Sequence, residues 1–361
     1  MPYLQDLPFE LIVRIAESLC LHCTDPPSAS TSIRCLGYSP YCGCDTPSEC
    51  PVSRTQEGSR TLGALCLTSH RLRDAAIRPL YHRPNPHKWW LLAGTMLARP
   101  DLARHIKELY IPVGLGTPES ESVIPPAVLS YFKTRVDAYN ASLPEHRRND
   151  LLCSSEGSTL TSDRDENGTP ILISLCPAAE SIKAVIGWQY IFPAYPPMPM
   201  PSLHTIELAH WDTENGICLR HMAPLLRAAP NLRVLRFFSL TDDSDDEGAE
   251  MLGVTLEKVT EIELETSSIN AETLEAVLKA CPGLETFKYG AGGPLVGDEQ
   301  FDPAQARDLM LQYGKNLKKV VIDLSEATGN AMLDEWDEDE NEEVVKAFME
   351  METECELITD Y

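Results

Sequence analysis

Residues 281–288 read CPGLETFK, and residues 176–183 repeat this stretch closely as CPAAESIK. In the first copy an apolar residue, Leu284, is followed three and five positions later by Phe287 and Tyr289. The same spacing begins at residues 106, 179, 203, 232, 259, 284 and 317. From residue 179 onward these starts are 24, 29, 27, 25 and 33 residues apart, which is typical of repeats that each form one strand-bearing unit.

Helices with one apolar face are predicted between the later repeats. Apolar residues recur there at i, i+3, i+4 and i+7, in the sets Met222/Leu225/Leu226/Ala229, Leu274/Val277/Leu278/Cys281 and Ala306/Leu309/Met310/Tyr313. One strand and one helix cannot bury their own apolar faces, whereas stacked units can. The pattern therefore predicts an α/β array, a curved solenoid with parallel strands. A doubly wound enzyme fold would require a glycine-rich turn after a strand, and the sequence has none.

Residues 9–20 are predicted to form a helix with a wide apolar face. Pro8 suits the start of this helix, because proline lacks the N–H that would be unpaired there. On a wheel of 100° per residue the apolar side chains cover an arc of about 200°, whereas a surface helix buries a stripe from roughly 100° upward. Two short neighbouring helices could not cover this arc. The excess predicts contact with a partner protein.

The distribution of charge argues against nucleic-acid binding. Residues 1–110 contain 12 basic and 10 acidic residues, and residues 111–361 contain 18 and 45, so the net charge of −25 arises entirely in the second part. Such a chain is repelled by phosphate backbones. The first residues lack the features of a secretory signal, and no uncharged apolar stretch approaches the ~20 residues of a membrane helix. We therefore expect an intracellular protein, cytoplasmic or nuclear, with reduced cysteines and no membrane contact.

A small helical module is predicted at the start of the chain. Residues 7–19, LPFELIVRIAESL, and residues 62–76, LGALCLTSHRLRDAA, together resemble an F-box. The resemblance implies a three-helix module that binds the Skp adaptor of an SCF ubiquitin ligase and, through it, the cullin scaffold. Carried over by position, the docking or supporting residues are Leu7, Pro8, Leu11, Ile15, Leu19, Leu65, Leu67 and Leu72.

A cysteine-rich insertion, residues 21–61, separates the first two predicted helices. Six cysteines lie within 31 residues, and His22 is nearby: Cys20, Cys23, Cys35, Cys42, Cys44 and Cys50. Zinc requires four ligands in a tetrahedron, and paired CxxC motifs supply them best. Here one CxxC is combined with irregular spacings. We therefore expect a flexible loop without metal or other cofactor, with zinc binding as the alternative.

The repeats are similar to irregular leucine-rich repeats, and residues 99–106, RPDLARHI, resemble fungal F-box proteins that carry such repeats. The predicted organisation is an F-box module at 1–85, a repeat array at 86–330 and an acidic tail or cap at 331–361. Within the array, residues 117–170 are an interruption that contains a helix from 126 to 140 and a polar, mobile loop from 154 to 168. Because successive strand residues face opposite sides, the outward, target-binding residues are predicted to be Thr205, Glu207, Arg233, Arg236, Glu261, Glu263, Glu285, Lys288, Lys318 and Asp323.

The sequence contains no recognisable catalytic constellation. A P-loop, a Gly-x-Ser-x-Gly elbow and a His-Glu-x-x-His motif are all missing. We therefore expect a non-enzymatic subunit that recognises the target of an SCF ubiquitin ligase in ubiquitin-dependent protein turnover. Two alternatives remain: an interaction scaffold without ubiquitin transfer, and a zinc-dependent regulatory module.

Overall fold

The computed structural model describes residues 4–24, 51–84, 88–111, 123–142, 168–186, 198–210, 216–241, 253–292, 301–323 and 354–358. The chain divides into two compact units. The first comprises residues 1–185 and 193–202, and the second comprises residues 186–192 and 203–361. Helices and parallel strands make up both units, so the chain is of mixed α and α/β class. In the ranges given above, no helix is both long and apolar enough to cross a bilayer.

Between residues 4 and 84, the described part of the first unit forms a 3-10 turn at Leu4–Asp6 and then four helices. They are α1 (Phe9–Ser18), α2 (Leu21–Thr24), α3 (Pro51–Thr68) and α4 (His70–His82). Ser69 caps the start of α4, because its side chain accepts a hydrogen bond from the Leu72 N–H, one of the donors of the first turn that has no partner within the helix. Both α1 and α3 pack against α4.

The predicted loop at residues 21–61 is wrong at both of its ends. Residues 21–24 form α2, and α3 begins at Pro51, eleven positions before the predicted start at Leu62. Helix α3 therefore extends through a segment whose Ser, Thr and Gly residues disfavour helix when considered alone. The cysteines at 35, 42, 44 and 50 lie outside the described residues.

The described residues in the rest of the first unit form four helices and two strands. They are α5 (Trp89–Ala98), α6 (Pro100–Ala103), β1 (Glu108–Ile111), α7 (Pro126–Ser142), α8 (Gly168–Ser174) and β2 (Ser181–Ile186). Strands β1 and β2 are parallel, and Leu109 pairs with Ile182. Helix α7 confirms the helix predicted from residue 126. Of the predicted mobile loop, residues 154–167 lie outside the described part, and Gly168 begins a buried helix instead.

The described residues of the second unit form six strands and three helices. They are β3 (Thr205–His210), α9 (Leu219–Ala228), β4 (Val234–Phe238), β5 (Glu261–Ser267), α10 (Ala271–Ala280), β6 (Thr286–Ala291), α11 (Pro303–Tyr313), β7 (Lys319–Asp323) and β8 (Glu354–Ile358). Each strand pairs in parallel with the next one along the chain. Strand β8 lies within the segment that was predicted to be an acidic tail or cap.

The register of this sheet follows the sequence repeat. The middle apolar residue of each repeat pairs with its equivalent in the next strand, and all are buried: Ile206, Leu235, Ile262, Phe287 and Val320. The helices between them bury most of the residues predicted from their spacing, such as Met222, Leu274 and Ala306, whereas Leu309 and Tyr313 are half-buried. The predicted strands and helices of this unit are confirmed.

Candidate functional site

Helix α1 has a buried side and an exposed apolar flank. Ile12 packs with Leu72 and Ala75 of α4, and Ala16 packs with residues of α3 and α4. By contrast, Leu11 is 50% exposed and Ile15 is 36% exposed. These two residues are four positions apart and therefore share one flank of the helix, which we call the α1 face.

The residues assigned to adaptor docking separate into two groups in the structure. Four are exposed, namely Pro8, Leu11, Ile15 and Leu67, and the last is 90% exposed at the end of α3. Leu7, Leu19 and Leu65 are half-buried, whereas Leu72 is buried. The buried and half-buried residues can support the module, but only the exposed group can contact a partner directly.

A hydrogen bond joins the Leu7-Pro8 segment, which precedes α1, to α4. The Arg71 guanidinium donates a hydrogen bond of 2.8 Å to the Leu7 carbonyl. The Pro8 carbonyl in turn accepts hydrogen bonds from the N–H groups of Leu11 and Ile12, which begins the helix. The backbone ahead of the α1 face is therefore held by a residue 64 positions away.

A row of alternating charges crosses four strands of the second unit. Glu207, Arg236, Glu263 and Lys288 pair in register on β3, β4, β5 and β6. The Arg236 guanidinium lies 2.9 Å from Glu207, 2.8 Å from Glu261 and 2.9 Å from Glu263. We call Glu207, Arg236, Glu261, Glu263 and Lys288 the charged row.

Most of the charges in this row neutralise one another. Burial alone would lower the pKa of Arg236, but the hydrogen bond to Glu261 and the nearby Glu207 and Glu263 carboxylates raise it overall. Glu207 is only 2% exposed, and Lys288 lies 3.5 Å from Glu263. The row keeps three carboxylates against two cations, so the acidic excess is small.

Strand alternation misplaced three of the predicted target-facing residues. Each of the three lies directly before a strand: Arg233 before β4, Glu285 before β6 and Lys318 before β7. They are therefore one position away from the strand residues whose side chains face outward. The carboxylate of Glu285 pairs with the ammonium of Lys318 at 2.8 Å. Thr205 and Asp323 do occupy strand positions with the outward parity.

A cluster of cysteine and histidine side chains lies where α2 meets the end of α4. Cys20 and Cys23 are close because the N–H groups of Cys23 and Thr24 donate to the Cys20 carbonyl at 3.0 and 3.1 Å, which forms one tight turn. His82, the last residue of α4, places its Nδ1 3.2 Å from the Cys23 Sγ and 3.8 Å from the Cys20 Sγ. The His22 Nδ1 lies 4.0 Å from the Cys23 Sγ. We call these four residues the Cys–His cluster.

The environment of the cluster shifts the pKa values of Cys23, His22 and His82 toward their uncharged forms. Burial, and then the nearby Cys20, raise the pKa of the Cys23 thiol to about 12. Burial, followed by His22, lowers the pKa of His82 to about 4, and burial also lowers the pKa of His22. Both imidazoles are therefore neutral at pH 7, which is the form that can ligate a metal.

Sequence spacing indicated part of this cluster but not His82. Cys20, His22 and Cys23 are adjacent in the chain, whereas His82 follows Cys23 by 59 residues. No motif joins residues at that separation. The expectation of a flexible loop is therefore wrong for residues 21–24, which form α2, whereas the expectation that no metal binds there stays a prediction.

Known proteins provide no family assignment for this chain. No family model matches it, and no curated protein matches it significantly. The α1 face, the charged row and the Cys–His cluster are therefore interpreted from their own chemistry.

Proposed function

We propose that this chain is the substrate-recognition subunit of an SCF-type ubiquitin ligase. In this proposal the helical module binds the Skp adaptor, and a leucine-rich-repeat-like array binds the target protein. The observation that carries the proposal is the α1 face, on which Leu11 and Ile15 remain exposed although the module already has a packed interior. Exposed aliphatic residues at helical spacing are suited to contact with another apolar surface.

The arrangement of the helices supports the F-box part of the proposal. Helix α1 follows the Leu-Pro pair, Leu67 is exposed in the last turn of α3, and α4 packs against both helices. The module buries Ile12 and Ala16 internally, so the α1 face is available without unfolding. Removing that face should therefore weaken docking and leave the module folded.

The topology of the second unit supports the repeat-array part. Strands β3 to β8 pair strictly in chain order, so their sequence contains no point at which the strand order reverses. Ligand crevices of doubly wound enzymes form at such reversals. A sheet without one favours a repeated strand–helix array, which presents a long surface for a macromolecule.

The chemistry of that surface favours a basic target. The charged row has one more carboxylate than its cations can neutralise, and residues 111–361 carry a formal excess of 27 negative charges. Complementary charge accelerates encounter with a partner of opposite sign. We therefore expect the target segment to contain lysine or arginine.

The test measures binding of a purified Skp adaptor to the full chain and to Leu11→Ala/Ile15→Ala. Burying one Leu or Ile side chain contributes about 1.5–3 kcal/mol, so the double variant should bind at least about tenfold more weakly. The matched control is Leu91→Ala/Leu311→Ala, which removes two exposed leucines outside the module. Circular dichroism checks that each variant is folded.

The two readings of adaptor binding, ligase subunit and scaffold, are separated by function. Proteins that bind the chain are first captured from cells in which the proteasome is inhibited. A reconstituted SCF complex that contains the chain should then transfer ubiquitin to these proteins. Adaptor binding without any transfer would support the scaffold. Equal binding by the wild type and the Leu11→Ala/Ile15→Ala variant would show that the α1 face is not the docking surface.

A further inference from the structure

We propose that Cys20, His22, Cys23 and His82 form a structural zinc site that cross-links the two ends of the helical module. Their four candidate ligand atoms all lie within 4.8 Å of one another. Tetrahedral zinc, with bonds of about 2.0–2.3 Å to nitrogen and sulfur, holds its ligands roughly 3.3–3.8 Å apart. Three of the six separations, at 3.2, 3.8 and 4.0 Å, are close to this range, and the others are at most 4.8 Å, so a shift of about 1 Å would complete the tetrahedron.

The four candidate ligands belong to two separate segments of the chain. Cys20, His22 and Cys23 belong to the turn at α2, which follows α1 after a short break. His82 ends α4, and its carbonyl accepts a hydrogen bond of 2.9 Å from the Lys107 N–H. A metal ion at this position would join segments 59 to 62 residues apart.

A carboxylate lies behind one of the ligands, just beyond hydrogen-bond distance from its ring. The Nε2 of His22 lies 3.9 Å from the Glu180 carboxylate, which leaves Nδ1 directed to the cluster. The Lys107 ammonium holds the same carboxylate at 2.6 Å. Metal-binding histidines commonly have such a carboxylate behind them, because it selects the tautomer and fixes the ring.

The composition of the cluster favours zinc over the common oxygen-binding ions. Two thiols and two imidazoles suit zinc, whereas calcium and magnesium prefer oxygen ligands. Four protein ligands leave no open position for substrate, which is typical of a structural site. Cys20 is buried and Cys23 is exposed, so an ion can enter from the side of Cys23.

The test measures zinc in the full chain, purified under reducing conditions, supplied with zinc chloride and then washed with a weak chelator. We expect one equivalent of zinc in the wild type by elemental analysis. Cys23→Ser and His82→Ala should lose it in the same wash. Cys66→Ser and His70→Ala are matched controls, because both residues lie in the module but outside the cluster, and both variants should retain the ion.

Further variants test whether this cluster, and not the remaining cysteines, holds the metal. A chain with Cys35, Cys42, Cys44 and Cys50 all changed to serine should still bind one equivalent. Cobalt substituted for zinc should show thiolate charge-transfer and tetrahedral ligand-field bands, and Cys23→Ser should weaken the charge-transfer band. Because Cys23 is exposed, this variant is expected to remain folded, which circular dichroism checks.

Three results would overturn the proposal. The first is a wild type that takes up no stoichiometric zinc, and the second is a folded Cys23→Ser variant that keeps its zinc through the wash. The third is loss of zinc in the quadruple serine variant, which would assign the metal to the other cysteines. A Cys20–Cys23 disulfide that persists after reduction would also overturn the proposal, because the wild type would then take up no stoichiometric zinc.

Discussion

The helical module and the second unit treat their apolar surfaces in opposite ways. In the module, Leu11, Ile15 and Leu67 are exposed although the interior is packed. Among the described residues of the second unit, Leu311 is the one large apolar side chain that is exposed. The difference follows from geometry, because stacked strands and helices cover each other's apolar faces, whereas two helices cannot cover a third with an apolar arc of about 200°.

This difference indicates which kind of contact each region can make with a partner. The module offers apolar contact, which is non-directional and stabilised by release of water. The second unit offers polar and charged side chains on a surface whose apolar residues are already buried. Substitutions should therefore change stability in the second unit and affinity in the module.

The largest expected effect is on the interior of the second unit. Phe287→Ala should lower the free energy of unfolding by about 3–5 kcal/mol, because Phe287 is fully buried between paired strands. Leu11→Ala should change it by no more than about 0.5 kcal/mol, because the side chain is half exposed. Urea unfolding followed by circular dichroism measures both. Similar losses in the two variants would contradict the contrast between the regions.

A smaller effect is expected at the charged row. Arg236→Met removes the cation that contacts three carboxylates, including the buried Glu207. We expect a loss of roughly 2–4 kcal/mol, at the lower end for a broken buried pair because Arg236 is partly exposed. The control is Lys318→Met, which removes an exposed partner of Glu285 and should change stability by less than about 1 kcal/mol. Equal effects would show that the charged row contributes no more than a surface pair.

The smallest effect is expected at the helix caps, where the two regions should behave alike. The side chains of Ser69 and Asn270 each accept one N–H in the first turn of α4 and α10. Replacing either by alanine should cost about 1 kcal/mol, because the interaction is local and does not depend on the surrounding fold. Hydrogen exchange of the amides in α4 and α10 measures each loss, and Ser69→Thr and Asn270→Asp should largely preserve it. A large loss at only one cap would indicate a tertiary role for that residue.

Most of the second unit could be predicted from its sequence. The spacing around Leu284, Phe287 and Tyr289 identified a strand because alternate burial leaves a two-residue period. Strand β8 has a related signal, since Cys355 and Leu357 alternate with glutamates, but it lies in the acidic segment whose composition predicts a tail or cap. Helix α2 is too short for a periodic signal, and the start of α3 lacks apolar periodicity.

The sequence by itself determined the apolar periodicities and therefore the strands, the main helices and the excess apolar arc of α1. Tertiary structure decided which flank of α1 remains exposed, which charges of the row neutralise one another, and that His82 meets Cys20 and Cys23. The physical reason is the separation along the chain between the residues that interact. A periodicity records which side of each element avoids water, whereas a contact across 59 residues depends on how α1, α2 and α4 pack, and neighbouring residues in the chain do not encode it.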